Sequence, residues 1–434
     1  MMHLRDNDLT FRPRRNNGNR LVFWAVLIFG ALWMLFQVRT GEIEPLFLPT
    51  PTPTRTGISL AQEGLALFES GDLDGAIQAY SQALERDPNN AEILTELAQI
   101  QTYSSGLLTT DQERAERLQE AQRSISRALE INPDSSRANA VHAFVLDWSA
   151  SSLLATSRDV REKMLGDAAN AAERALILNP QNALALVYLA EVQLDQQSWV
   201  QSQQTIEAAL ELDATLMDAH RVHGIVLESL GQYRAAIEAY ERAAAIAPNL
   251  TFLYIYIGLN YRNLQVYDRA LEFFDRAAQI NTQNGVEDPL PYIAISKTYS
   301  QQGEFFIASR NAERAVSIDP YNANTYGQLG IIYVKARNYE GALPVLACVV
   351  YGCSAADNEV AGVDVTGLPL SNIEVAYYYL QYGSVLAALN QCPAAAPVLD
   401  MVENAYGSDP VIASIIAENE EICRRLEAAD SQGG

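Results

Sequence analysis

The sequence predicts an all-α protein, an α-solenoid behind a single N-terminal transmembrane helix. Three observations predict it. A unit of two apolar-periodic runs recurs along most of the chain. The 434 residues exceed what one ordinary core organises, whereas stacked units avoid that limit because each touches only its neighbours. Abundant Ala and short β-branched runs favour helix over strand.

Residues 1–20 form a basic segment with Arg5, Arg12, Arg14, Arg15 and Arg20. Residues 21–38, LVFWAVLIFGALWMLFQV, hold one strongly polar residue, Gln37. As a helix they span about 27 Å, close to the roughly 30 Å hydrocarbon core, with Arg20 and Arg39 placed to snorkel. The run ends in Phe36-Gln37-Val38-Arg39, without the small residues of a cleavage site, so an uncleaved anchor is expected rather than a signal peptide. Glu42 and Glu44 follow Arg39 before any other cation, so the positive-inside bias puts the N-terminus in the cytoplasm and the array outside, at the cell membrane. Residues 39–56, in which Pro49, Pro51 and Pro53 alternate with Thr, read as a semi-rigid spacer.

The repeat is clearest over residues 217–250, a stretch of 34 residues with Gly224, Leu227, Ala236, Tyr240, Ala243 and Pro248 at positions 8, 11, 20, 24, 27 and 32. Small residues let two antiparallel helices approach, Tyr240 fills the gap, and Pro248 lacks the amide that continuation of the second helix would need. Eight such units occupy residues 57–353. They begin at Gly57, Ala91, near Ser136, and at Ala183, Met217, Thr251, Pro289 and Ala323. In units 2 and 3 the later markers arrive 11 and 13 residues late, which predicts longer turns between their helices on one edge, either a shared binding edge or, the reading preferred, two solvated extensions. Residues 354–370 form an irregular loop, residues 371–428 a ninth, weaker unit and a capping helix, and residues 429–434 a disordered tail.

These markers resemble the tetratricopeptide-repeat family over roughly residues 57–407, in the manner of membrane-anchored bacterial members. The resemblance implies a right-handed superhelix and a non-catalytic protein-binding scaffold. It also implies that positions 2, 5, 9 and 12 of each first helix line a concave groove. In units 5–9 these give Arg221, Ile225, Glu228, Phe252, Ile255, Leu259, Arg262, Leu290, Ile293, Lys297, Ile331, Val334, Tyr377 and Leu380, with Lys335 adjacent. That groove is apolar with four cations in a chain of net charge −23, and suits an apolar peptide with acidic groups or a C-terminal carboxylate. The same aliphatic positions could equally be core between hairpins. Ala61 and Leu65 stand where a chaperone-tail clamp would carry Lys and Asn, so that ligand is not implied.

Residues 41–434 hold 24 basic against 51 acidic side chains, which argues against nucleic acid. His220 and His223 beside Asp218 occupy packing positions, so no metal is expected, and no phosphate loop, HExxH or GxSxG motif suggests an enzyme or a cofactor. A structural spacer or self-associating array, and a regulatory or solute-binding subunit with a pocket under the 354–370 loop, are the other readings. Four Cys lie in the last quarter, either paired or as buried thiols. If the capping helix packs like the first helix of a further unit, Cys392 can reach Cys423, while Cys353 lies about 25 Å from Cys392 and beyond bonding reach. Cys348 then pairs with Cys353, provided their helix ends near Tyr351-Gly352.

Overall fold

A computed structural model describes residues 18–40 and 56–433 and divides the chain into two units, residues 1–55 and 56–434. The first unit contributes α1 (Gly18–Thr40). Residues 18–37 of it have a mean hydropathy of 1.8 and none is buried, so the helix is long and apolar enough to cross a membrane by length and composition. The basic segment up to residue 17, the spacer over residues 41–55, and Gly434 lie outside the described residues.

The second unit is helical throughout, with no strand among its described residues beyond a single bridge between Cys353 and Val365. Nine antiparallel hairpins follow one another. They are α2 (Gly57–Ser70) with α3 (Leu73–Arg86), α4 (Ala91–Ser105) with α5 (Asp111–Ile131), and α6 (Ser136–Ala150) with α7 (Arg158–Leu178). Next come α8 (Ala183–Asp195) with α9 (Trp199–Leu212), α10 (Met217–Ser229) with α11 (Tyr233–Ile246), and α12 (Thr251–Asn263) with α13 (Tyr267–Asn284). The last three are α14 (Leu290–Gln302) with α15 (Phe305–Ile318), α16 (Ala323–Lys335) with α17 (Tyr339–Tyr351), and α18 (Ile373–Ala388) with α19 (Cys392–Tyr406). Helix α20 (Pro410–Gly433) packs on α18 and α19. It continues through the stretch read as a disordered tail, because the helical register after Glu427 meets no Pro and no Gly before Gly433.

Local chemistry explains the punctuation. Asn90, Ser135, Asn182, Asn322 and Asn372 each cap a first helix by accepting from its early amides. The tight hairpin turn needs one residue in the left-handed region, supplied by Gly71, Gln197, Gly231, Gln265, Gly303, Arg337 and Asn390. Only units 2 and 3 lack it, the two with longer turns. Inside the hairpin of α10 and α11, a Cβ on Gly224 would lie 2.6 Å from the Tyr240 ring, so the small residue and the aromatic are one packing device.

The extra residues of unit 2 do not form a solvated extension, whereas none of those in unit 3 over residues 151–163 is buried. Most of them lengthen α5 and α7 to 21 residues each, and the unit 2 turn folds inward. Thr109 of that turn is buried, hydrogen-bonded to Asn322, while Asn324 Nδ2 donates to its carbonyl at 2.8 Å. Asn372 Nδ2 donates to Asp111 at 2.6 Å. One unit earlier, Asn249 Nδ2 donates to the Glu69 carbonyl at 3.0 Å and Asn284 bonds the Ser70 carbonyl. Units 1 and 2 therefore rest on the connections between units 5 and 9. The array winds tightly enough for its start to meet its second half.

The residues before α14 carry a pH-dependent element. Asp288 is buried and accepts from Leu290 N at 2.9 Å and from Asn281 Nδ2 at 3.0 Å. Burial pushes its carboxyl up to about 6, against the lowering effect of those two hydrogen bonds. Because the folded value exceeds the unfolded one near 3.9, its contribution is fully present below about pH 4 and is lost as pH rises through 6. Asp288→Asn should flatten the urea stability profile between pH 4 and 7 by about 2 to 3 kcal/mol relative to the native chain. An unchanged profile would refute the assignment.

Candidate functional site

The first helices of successive units line the inside of the array, and in units 2–6 packed side chains occupy much of that inside, leaving a cavity beside Asp147. The centre of that packing is Arg221 on α10, which is fully buried. Its Nη1 and Nη2 donate to the two oxygens of Glu191 on α8 at 2.9 Å each, and Nε donates to Asp218 at 2.9 Å. Asp218 also accepts from Tyr103 of α4 and from Tyr188 of α8 at 3.4 Å, and Trp148 Nε1 donates to Glu191 at 3.1 Å. The guanidinium lies 5.4 Å from the Phe144 ring centre and 5.7 Å from that of Tyr103. Burial opposes its charge, but Glu191 and Asp218 outweigh burial and hold it protonated. Burial, then Asp218, push the Tyr103 phenol well above its usual value. This is a satisfied bidentate network joining units 2–5.

That placement corrects the expected groove. Arg221 is a core residue with its donors engaged, so it offers no charge to a partner. Phe252 is buried with its ring stacked on Tyr103 at 5.8 Å, and Ile293 and Leu380 are buried too. The physical reason is winding: position 5 faces inward in every unit, and here inward leads to other units rather than to solvent. Ile225, Ile255, Leu259, Leu290, Ile331, Val334 and Tyr377 remain half-buried.

The other three cations come together. Arg262 on α12 and Lys297 on α14 are half-buried, and Lys335 at the end of α16 is exposed. Burial lowers the Lys297 ammonium below its ordinary value; Glu374 opposes that shift, and repulsion from Arg262 and Lys335 adds to it. Burial likewise lowers Arg262, whose Nη1 has no hydrogen-bond partner. No carboxylate lies within ion-pair distance of any of the three among the described residues.

Units 3 and 4 carry inner-face residues that a reading confined to units 5–9 passed over. Asp147 on α6, with Glu191 and Asp195 on α8, borders a cavity of about 310 Å³ together with Trp148, Ile225 and Tyr256. The signal was available, since Asp147 and Glu191 hold groove positions 12 and 9. Beneath the 354–370 loop there is a cavity of about 380 Å³, but its buried Asn358 is satisfied by Tyr326, Val363, Val360 and Ala361. No cluster of His, Cys, Asp and Glu suited to a metal occurs among the described residues. His220 bonds the Ala214 carbonyl at 3.0 Å.

The cysteines bond as Cys348–Cys353 and Cys392–Cys423, with Cα separations of 4.8 and 5.6 Å. The first is possible because α17 stops at Tyr351 and Gly352 turns with a positive φ of 76°. Both lie in the last units, beside the irregular loop and the capping helix.

Stacked helical hairpins with small and aromatic residues at fixed offsets define an α-solenoid repeat protein. The family model for TPR repeats matches residues 64–102, and that for tetratricopeptide repeats matches residues 159–216 and 221–285. Over those residues the chain carries tetratricopeptide repeats, a repeat that generally serves as a non-catalytic interaction scaffold. Among solved structures it is similar to yeast Tom70, at 12% identity and a TM-score of 0.49 over 86% of this chain and 90% of that one. It is also similar to a thermophilic tetratricopeptide-repeat protein of Thermus thermophilus, at 18% identity and a TM-score of 0.39 over 47% and 98%. A third is a tetratricopeptide-repeat protein of Parabacteroides merdae, at 20% identity and a TM-score of 0.36 over 64% and 99%. No curated protein matches the chain.

Proposed function

We propose that the chain is a membrane-tethered scaffold that binds a protein or peptide partner outside the cytoplasm, through the inner face of units 6–9. The observation that carries this is the cluster of Arg262, Lys297 and Lys335, three cations without ion pairs in a chain of net charge −23. Excess carboxylates could have neutralised them. Their being left unpaired fits an incoming anion, an acidic side chain or C-terminal carboxylate, flanked by half-buried Leu259, Ile331 and Val334 as apolar contacts. Tethering is supported by α1 and its Arg-rich flank, and the outside location by the charge bias and by the two disulfides.

The test is crosslinking in native membranes with partner identification, comparing the native chain with Arg262→Glu/Lys297→Glu. One discrete crosslinked partner should drop at least tenfold in the variant, since two charge-assisted contacts are replaced by repulsion, a change of roughly 1.4 kcal/mol or more. A partner retained equally by both would move the working surface off this face.

A further inference from the structure

The cavity beside Asp147 has features that the acidic-partner reading does not use. Asp147 is only 2% exposed, borders the cavity, and its Oδ1 has no hydrogen-bond partner. A buried oxygen left unpaired is costly unless something occupies the space in front of it. Its neighbours are acidic. Asp195 accepts from Ser151 Oγ at 3.0 Å, and Glu191 faces the same space. Trp148 and Tyr256 add aromatic faces.

We propose that this cavity binds a guanidinium or ammonium group, carried in by a basic side chain of the peptide partner. The inference rests on the scaffold reading above and adds a second anchor of opposite charge to it.

The charges nearby allow one more cation. Arg221 of α10 is held by Glu191 and Asp218. Arg114 of α5 is turned to the Leu108 carbonyl at 2.7 Å and to Asp111 at 3.4 Å. Arg161 of α7 is the remaining cation that Asp147 and Asp195 feel. With no ligand, burial, then Asp195 and Glu191, raise the Asp147 carboxyl well above the ordinary range. A ligand cation in the cavity favours the charged form of Asp147, whose carboxylate then accepts an N–H from it. Trp148 and Tyr256 favour a cation over a neutral donor of the same shape. Binding should therefore tighten as pH rises.

The test uses the full chain in detergent micelles and calorimetric titration with three probes. These are an N-acetylated, C-amidated Ala-Arg-Ala tripeptide, its citrulline counterpart, and agmatine. The arginine peptide should bind at least tenfold more tightly than the citrulline peptide, and more tightly at pH 8 than at pH 6. Asp147→Asn should weaken it at least tenfold, and Asp195→Asn, which alters only a half-buried member of the set, should weaken it less. Equal binding of the arginine and citrulline peptides, or no loss in either variant, overturns the site. Agmatine binding without peptide binding overturns the side-chain source and assigns the cavity to a small amine. An arginine response alongside a partner crosslink indifferent to Arg262→Glu/Lys297→Glu refutes the acidic groove alone. The reverse pair of results refutes the cation site alone.

Discussion

Replacing Arg221 by Ala should cost about 3 to 5 kcal/mol of unfolding free energy, the largest single-residue loss on the inner face. The loss comes from what remains rather than from what leaves. Glu191 and Asp218 are both buried and between them accept three hydrogen bonds from the guanidinium at 2.9 Å. Without it, two carboxylates stay in a low-dielectric space with only Trp148, Tyr103 and Tyr188 to satisfy them. The triple variant Arg221→Met/Glu191→Gln/Asp218→Asn removes the charges together and keeps acceptors for the aromatic donors. It should recover most of the loss, because a buried ion pair is worth little against neutral groups of similar volume. Urea unfolding measures both. A single variant that costs less than about 1 kcal/mol would mean that water reaches the network and that the centre of the array is open.

Because the network joins α4, α8 and α10, hydrogen exchange in Arg221→Ala should accelerate in all three helices rather than in α10 alone. A solenoid that loses one contact in a single unit would fray locally, as its stability is a sum over neighbours. Here Tyr103 stacks on Phe252, four units further along, and Thr109 bonds to Asn322. Those long-range contacts make the array more cooperative than a linear stack.

The hairpins were legible because each is specified locally. Cap residues, small and aromatic positions and closing Pro lie within one period, and the start of each first helix agrees with the period closely: Gly57, Ala91, Ala183, Met217, Thr251 and Ala323 all begin helices. What could not be read was how far the array winds, which is the accumulated rotation of many units. That quantity decides whether position 5 of unit 5 faces a partner or the inside of unit 2. Arg221 carried a local clue, with Asp218 three residues before it on one helix and Glu191 in the preceding unit. The clue names a pair and does not say that the pair is buried. Thr109 gave less: nothing in a turn of Gly106, Leu107 and Leu108 shows that it will dock on units 7 and 8. Asp147 was visible as an acid at a groove position, and only its unsatisfied oxygen, a property of the packed structure, sets it apart from the other carboxylates of an acidic chain.

Removing the Cys392–Cys423 bridge should be the other large perturbation. The bridge spans 31 residues, and closing a loop of that length stabilises by about 3 to 4 kcal/mol on the chain-entropy estimate. Cys348–Cys353 spans five residues and should contribute less. The bridge ties the start of α19 to α20, whose buried contacts are few, chiefly Ile412, Ile416 and Asn419. Cys392→Ser/Cys423→Ser should therefore release α20 before the rest, with faster hydrogen exchange over residues 410–433 and exposure of the α18 face beneath it. Unchanged exchange there would show that packing alone holds the cap. The bridge also bears on location, because a cytosolic chain would be kept reduced and would have to hold α20 by those few contacts. Alkylation in intact cells gives the matching result: all four thiols should resist labelling until a reductant is added. Thiols labelled without it would place the array on the reducing side and reverse the proposed topology.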